Sequence, residues 1–204
     1  MIKRTMGRLL LSLLVITGLA GTLNSSTISM KERKSATNLL KDSRTRILDA
    51  VRGLQTEQLN FKKSPEGTSI RECILLAATT EHQLWEQLQA ALKKQANPDM
   101  RKQIFLSDEQ LMQRAENGNF PTTILPAGMI QEYSNMDEAL AGFRKERTAH
   151  LKYMKTTTED LRNHVLHTAS GWIDSYQLCL LIAANCMHLE EQIAELKSDP
   201  RFPG

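Results

Sequence analysis

Residues 174–197 read DSYQLCLLIAANCMHLEEQIAELK and carry the clearest structural pattern in the chain. Apolar residues recur there every three or four positions, the spacing of one face of an α-helix. They are Leu178, Leu181, Ile182, Leu189, Ile193 and Leu196. Asp174 is a suitable N-cap, and Pro200 and Pro203 stop the pattern. The stretch predicts a long buried helix.

Three more helices precede this one. Residues 31–54 carry an amphipathic stripe, and residues 136–158 carry another after an N-cap at Asn135. Between them, Ser69 and Glu72 form a capping box that opens a helix reaching about residue 94. The connection 96–135 is the longest, with a short helix expected at 107–114.

These four helices, with no strand-like alternation and no internal repeat, predict an all-α fold, a four-helix bundle. Short links predict that the first and second helices are antiparallel neighbours, and likewise the third and fourth. The long crossover from the second helix to the third lets those two point the same way.

The charge of the chain is confined to its start. The net charge is +3, from 26 Lys and Arg against 23 Asp and Glu. Lys3, Arg4 and Arg8 are the only charged residues before Met30, so the remainder is neutral. A neutral body lacks the cations that bind a phosphate backbone, so no nucleic-acid partner is expected.

Residues 1–28 resemble a secretory signal, and residues 29–204 form the bundle domain. A cationic start precedes the apolar run 9–20, which is too short to span a bilayer comfortably. We expect cleavage near Ala20 or residues 24–26, export to the periplasm or medium, and membrane contact only through an uncleaved leader. The alternative is a cytoplasmic protein translated from Met30.

The three cysteines, Cys73, Cys179 and Cys186, lie in apolar helical patterns. An exported domain that depends on disulfides normally has an even number of cysteines. We therefore expect buried free thiols, with a reactive or metal-binding thiol as the alternative.

No strong catalytic motif is present. No two of the five histidines stand four apart on one helix; His164 and His167 are expected to face solvent near a loop, and His188 at a rim. Glu81 and His82 are expected on a polar edge of the second helix. Asn185 is the one polar residue in the stripe of the last helix, so it must be hydrogen-bonded, face water or hold a ligand.

Several segments resemble the DinB-like (YfiT-like) superfamily. They are Ser69–Ile74, which enters the second helix; Asp160-Leu161-Arg162; His167 with Gly171, Asp174 and Gln177; and the ending from Gln192 to Pro203. The resemblance covers residues 28–204 and implies an up-down-down-up bundle that often dimerises.

The resemblance also implies a nickel or zinc ion held by three histidines. Those positions fall on Leu76, Asn185 and Leu189 here, and leucine offers no donor atom. His188 is one residue away from a ligand position, about 100° around the helix. The chain thus looks like a divergent member without the metal-binding histidines, and no cofactor is expected.

Two functions follow from this pattern. The first is a small-ligand-binding or interaction module of the cell envelope, with a homodimer as a further expectation and the ligand unidentified. Its pocket would be lined by Cys73, Leu76, Thr80, Asn185 and Leu189, and a role in oligomerisation alone fits the same pattern. The alternative is a metal- or thiol-dependent hydrolase or transferase with a rebuilt site, using Asn185 with Cys73, Cys186 or His188.

Overall fold

The computed structural model describes residues 28–118, 133, 135–168 and 171–204. In chain order the elements are α1 (Met30–Ala50), α2 (Thr56–Leu59), α3 (Ile70–Leu92), a 3₁₀ helix (Pro98–Gln103), α4 (Asp108–Glu116), α5 (Met136–Thr156), β1 (Val165–Thr168), β2 (Gly171–Asp174) and α6 (Ser175–Lys197). The chain is mostly helical, as predicted. The predicted leader up to Thr27 and most of the connection between α4 and α5 lie outside the described residues.

The helices begin where side chains cap their first turns. Ser69 accepts a hydrogen bond from the Glu72 backbone N–H at 3.2 Å, and Glu72 accepts one from the Ser69 N–H at 2.8 Å. The same reciprocal box opens α1, α4 and α6. Each box satisfies backbone donors that a helix start leaves free, so these boundaries are set locally.

The four long helices pack so that α6 contacts α1 and α3, and α5 contacts the same two helices. The pairs α1/α3 and α5/α6 therefore lie across the diagonals of the bundle, and the prediction that the two helices of each pair are neighbours was wrong. The links are long enough to cross the ends of the bundle, because one contains α2 and the other a β-hairpin. None of the described helices is long and apolar enough to cross a membrane.

Contacts along the helices give their relative directions. Glu81 of α3 meets Arg147 of α5, and Trp85 meets Tyr153 further along both, so α3 and α5 run the same way. Tyr176 bonds to the Glu32 carbonyl, and Lys197 bonds to the Ala50 carbonyl at the opposite end of both helices. Helices α1 and α6 are therefore also parallel.

A short β-hairpin, not predicted from the sequence, links α5 to α6. Strands β1 and β2 are antiparallel, with Val165 opposite Asp174 and Thr168 opposite Gly171. Each strand has only four residues, too few for alternation to distinguish it from a loop. Gly171 has φ +108°, a conformation that residues with a side chain rarely adopt.

Buried charge lies in the middle of the bundle, where the side chains of Arg147, Glu81 and His150 are at most 2% exposed. Arg147 donates from Nε to Glu81 Oε1 at 2.7 Å and from Nη1 to Ser43 Oγ and the Leu40 carbonyl at 2.8 Å. His150 Nδ1 lies 2.8 Å from Glu81 Oε1. The expectation that Glu81 lies on a polar edge was therefore wrong.

This cluster joins all four long helices, because the Cys186 thiol of α6 also interacts with Arg147. Burial raises the pKa of Glu81, but the charge of Arg147 and the hydrogen bonds from His150 and Arg147 outweigh it, so the pKa is lowered. The Glu81 carboxylate likewise outweighs burial and raises the pKa of Arg147. Both groups therefore stay charged inside the protein.

A second ionic cluster fixes one end of the bundle. Arg162 bonds to Glu32 of α1, Asp108 of α4 and Asp174 at the start of α6, at 2.6–3.1 Å. Its guanidinium lies 4.1 Å from the centre of the Tyr176 ring. This residue, part of the segments that carry the family resemblance, joins three helices that are distant in sequence.

Replacing Arg147 by Met should lower the free energy of unfolding by about 3–5 kcal/mol, because Glu81 would remain buried without its partner. Urea unfolding followed by circular dichroism measures the change. The matched control is Arg52→Met, which breaks an exposed pair with Asp49 and should change stability by less than about 1 kcal/mol.

The double variant Glu81→Gln/Arg147→Met should recover much of that loss, since it removes both charges and keeps an acceptor for His150. Equal, small effects of Arg147→Met and Arg52→Met would show that the buried pair does not support the fold.

Candidate functional site

The five residues predicted to line a pocket lie on α3 and α6, the two helices that pack against each other most extensively. Cys73, Thr80, Asn185 and Leu189 are at most 7% exposed, and Leu76 is 45% exposed. The structure thus places four of the five predicted residues inside the bundle and Leu76 on its outer side. None of the five lines the two clefts described below.

The exposure of Leu76 corrects its assignment to the buried stripe. Cys73, Ala77 and Leu84 face the core. Leu76 follows Cys73 by three residues, so its side chain points about 60° to one side of it. The apolar stripe of α3 is wider than the face that α6 covers. The large apolar side chain of Leu76 is therefore left accessible beside the buried residues.

Asn185 remains the unusual polar residue of α6. It is 4% exposed, within a stripe of apolar side chains. Its amide is not among the fully buried polar atoms that lack a partner within the described residues, so it does not carry the cost of an unsatisfied buried group. Asn185 is therefore a polar position that the α3–α6 face accommodates.

A chain of hydrogen bonds connects α4, α6 and α3 on the same side of the bundle. His188 Nδ1 lies 2.9 Å from the Glu116 carbonyl, and Nε2 lies 2.8 Å from Gln192 Nε2. A carbonyl only accepts, so Nδ1 carries the proton and Nε2 accepts from the Gln192 amide. Gln192 Oε1 in turn accepts from the Cys73 thiol at 3.8 Å.

This hydrogen-bonded path was not predicted from the sequence, because its link between the Cys73 thiol and the His188 imidazole is a glutamine, Gln192. It makes His188 a half-buried residue that is hydrogen-bonded to both α4 and α6. Gly118, with φ +69°, lies against the ring, and a Cβ there would come within 2.7 Å of His188 Cε1. The end of α4 is therefore fitted closely to His188.

All three thiols are buried and disfavour ionisation, and none is in a disulfide. Burial, aided by the nearby Glu72 carboxylate, raises the pKa of Cys73 to about 11. Burial also raises the pKa of Cys186 to about 11, against the opposing charge of Arg147, and raises that of Cys179. A nucleophilic cysteine needs a lowered pKa and access to solvent, and these three have neither.

The residues at this face do not fit the nickel or zinc ion that the resemblance implies. Leu76 and Leu189 have no donor atoms, and Asn185 offers one weak oxygen ligand. His188, the alternative partner of Asn185, uses both ring nitrogens in hydrogen bonds. The described residues contain no group of three His, Cys, Asp or Glu side chains able to hold a metal.

Two clefts lie elsewhere on the molecule. One, of about 590 Å³, separates the end of α3 from the hairpin and includes Lys94, His167 and Trp172. The other, of about 530 Å³, lies between α1, α4 and α6 near Glu32 and Asp108. Neither cleft was predicted from the sequence, because each joins segments that are far apart in the chain.

Comparison with known families agrees with the segments quoted from the sequence. The family model described as the DinB superfamily matches residues 39–193, most of the chain. No curated protein and no solved structure gives a significant match. The matched region begins within α1 and ends within α6, so it contains α3 and α5 and most of α6, and this chain therefore belongs to the DinB superfamily.

Proposed function

We propose that this protein is a small-ligand-binding or interaction module of the cell envelope that works without a metal. The supporting observation is the donor chemistry at the three positions that the family resemblance assigns to metal ligands. Leu76 and Leu189 cannot bind a metal, and the neighbouring His188 is held by Glu116 and Gln192.

The scaffold in this proposal is an up-down-down-up bundle with a long crossover from α3 to α5. The parallel pairs α3/α5 and α1/α6 support that order. The antiparallel arrangement of α3 and α6 supports it as well, since Cys73 near the start of α3 meets Gln192 near the end of α6.

The small ligand of this module would approach the bundle between α3 and α6. Leu76 would form an apolar rim, Asn185 the polar contact, and Cys73, Thr80 and Leu189 the inner wall. The position of the Asn185 amide in an apolar stripe and the exposed side chain of Leu76 support this assignment. The same exposed leucine would serve in homodimerisation.

The competing function is a hydrolase or transferase with a rebuilt thiol site. Its support is the hydrogen-bonded path from Cys73 through Gln192 to His188. In that path the thiol donates toward Gln192 and the imidazole Nε2 already accepts an amide proton. The direction of the bonds opposes removal of the thiol proton by His188, so we favour the binding module.

Export of the domain completes the proposal. Cleavage near Ala20 or residues 24–26 would leave Ile28 in the mature chain, where it is 5% exposed in the core beside the capping residue Ser29. A neutral body without a nucleic-acid partner, and membrane contact restricted to an uncleaved leader, belong to the same proposal.

The first prediction of this proposed function concerns the metal content of the protein. The purified mature chain should contain far less than one nickel, zinc or iron ion per molecule by elemental analysis, because the site lacks donors. The variant Leu76→His/Asn185→His/Leu189→His serves as the positive control, since it restores three imidazoles. Stoichiometric metal in the wild type that is lost in Asn185→Ala or His188→Ala would overturn the proposal.

The second prediction concerns the thiols. With a pKa of about 11, about one thiol in a thousand is ionised at pH 8. Ellman's reagent should therefore react slowly with the native protein, faster as pH rises toward 11, and rapidly with all three cysteines in urea. A fast reaction of one thiol at pH 7, abolished by Cys73→Ser, would favour the enzyme alternative.

The third prediction concerns location. In a bacterial host the full chain with a C-terminal tag should be recovered outside the cytoplasm, shortened at its N-terminus by mass spectrometry. The matched control is a chain that starts at Met30, which should stay in the cytoplasm. Recovery of an intact, cytoplasmic full chain would contradict export.

A further inference from the structure

The cleft at the end of α3 has the size and position of a small-molecule site distinct from the α3–α6 face. Its volume is about 590 Å³, within the range of ligand pockets. One wall comes from the last turns of α3 with Lys94 and Gln95, and the other from β1 and Trp172 of β2.

Hydrogen bonds fix these two walls relative to each other. Asn97 donates from Nδ2 to the Val165 carbonyl at 2.9 Å and accepts from the Val165 N–H at 2.8 Å. Both ring nitrogens of His164 face carbonyls, Asp160 at 2.7 Å and Lys94 at 3.1 Å. The cleft is therefore preformed, and His164 acts in its wall as an anchor.

The chemistry of the lining favours an organic anion with a flat apolar part. Among the described residues that line the cleft there is no Asp or Glu, whereas Lys94, Gln87 and Gln95 provide N–H donors. Lys94, an exposed residue, brings an ammonium group to the rim of the cleft. The buried residues Ala91 and Val165 supply apolar surface at the back of the cleft.

Trp172 provides a flat surface for stacking. Its indole is half-buried, and the ring of His167 meets it nearly edge-on, with centroids 4.9 Å apart. This contact limits rotation of the Trp172 indole. The indole therefore loses little conformational freedom when the ring of a ligand packs against it.

We propose that this cleft binds a small aromatic carboxylate, with the carboxylate at Lys94 and the ring against Trp172. The inference names a ligand class for the binding role proposed above and rests on that role. It needs no metal and no residue of the α3–α6 face, so the two sites are separable by experiment.

The test uses 2-naphthoate and its uncharged counterpart 2-naphthamide with the mature chain. The two tryptophans give two indole N–H signals in a ¹⁵N NMR spectrum, assigned with Trp172→Phe. Naphthoate should shift the Trp172 signal and leave that of Trp85, which is stacked on His150 in the core, unchanged. Naphthamide should bind about tenfold more weakly by calorimetry.

Lys94→Gln should weaken naphthoate binding about fivefold and leave naphthamide binding unchanged. The control is Lys93→Gln, an adjacent exposed lysine outside the cleft, which should have no effect. Trp172→Ala should weaken both probes. No Trp172 shift at about 5 mM probe, equal affinity for both probes, or equal effects of the two lysine variants would overturn the inference.

A failure of the cleft to bind naphthoate can be distinguished from a failure of the proposed function. Absence of naphthoate binding by a metal-free chain would reject this cleft alone. Stoichiometric metal bound through Asn185 or His188 would reject the metal-free module, whatever the cleft binds.

Discussion

The buried pairing of Arg147 with Glu81 is the constraint on which the bundle depends. Two charges inside a protein lose their hydration, and only close pairing with further hydrogen bonds offsets that loss. Here the partners come from every long helix: Glu81 from α3, Ser43 and Leu40 from α1, Cys186 from α6, and His150 from α5 itself. A shift of any one helix would leave a charged or polar group unpaired, so the cluster fixes their relative positions.

Local features of the fold could be predicted from the sequence, whereas features that depend on how the helices pack could not. The helix starts were predicted because Ser69 with Glu72, and Asp174 with Gln177, satisfy backbone groups within one turn. The burial of Glu81 and the exposure of Leu76 were not, because each depends on which helix covers that face. The paths of the links decide which helices lie diagonally opposite each other in the bundle. A single sequence does not reveal those paths.

The candidate site shows the same division. Counting along the sequence from the resembling segments predicted ligand positions at Leu76, Asn185 and Leu189, and the two leucines offer no donor atom to a metal. The path from Cys73 through Gln192 to His188 required the structure, since its residues are spread over two helices and end on a carbonyl of a third. No sequence motif indicates a glutamine whose function is to satisfy a histidine and a thiol together.

Hydrogen bonds between segments that are distant in sequence also order the ends of the bundle. Arg162 ties α1, α4 and the start of α6 together, and Asn97 ties the hairpin to the segment after α3. The hairpin wall of the cleft at the end of α3 is thereby held in place. At the α3–α6 face, by contrast, the Cys73 thiol meets Gln192 at 3.8 Å and Leu76 lies exposed. The positions of the long helices therefore depend on Arg147 at the centre of the bundle and Arg162 at one end, more than on a link across that face.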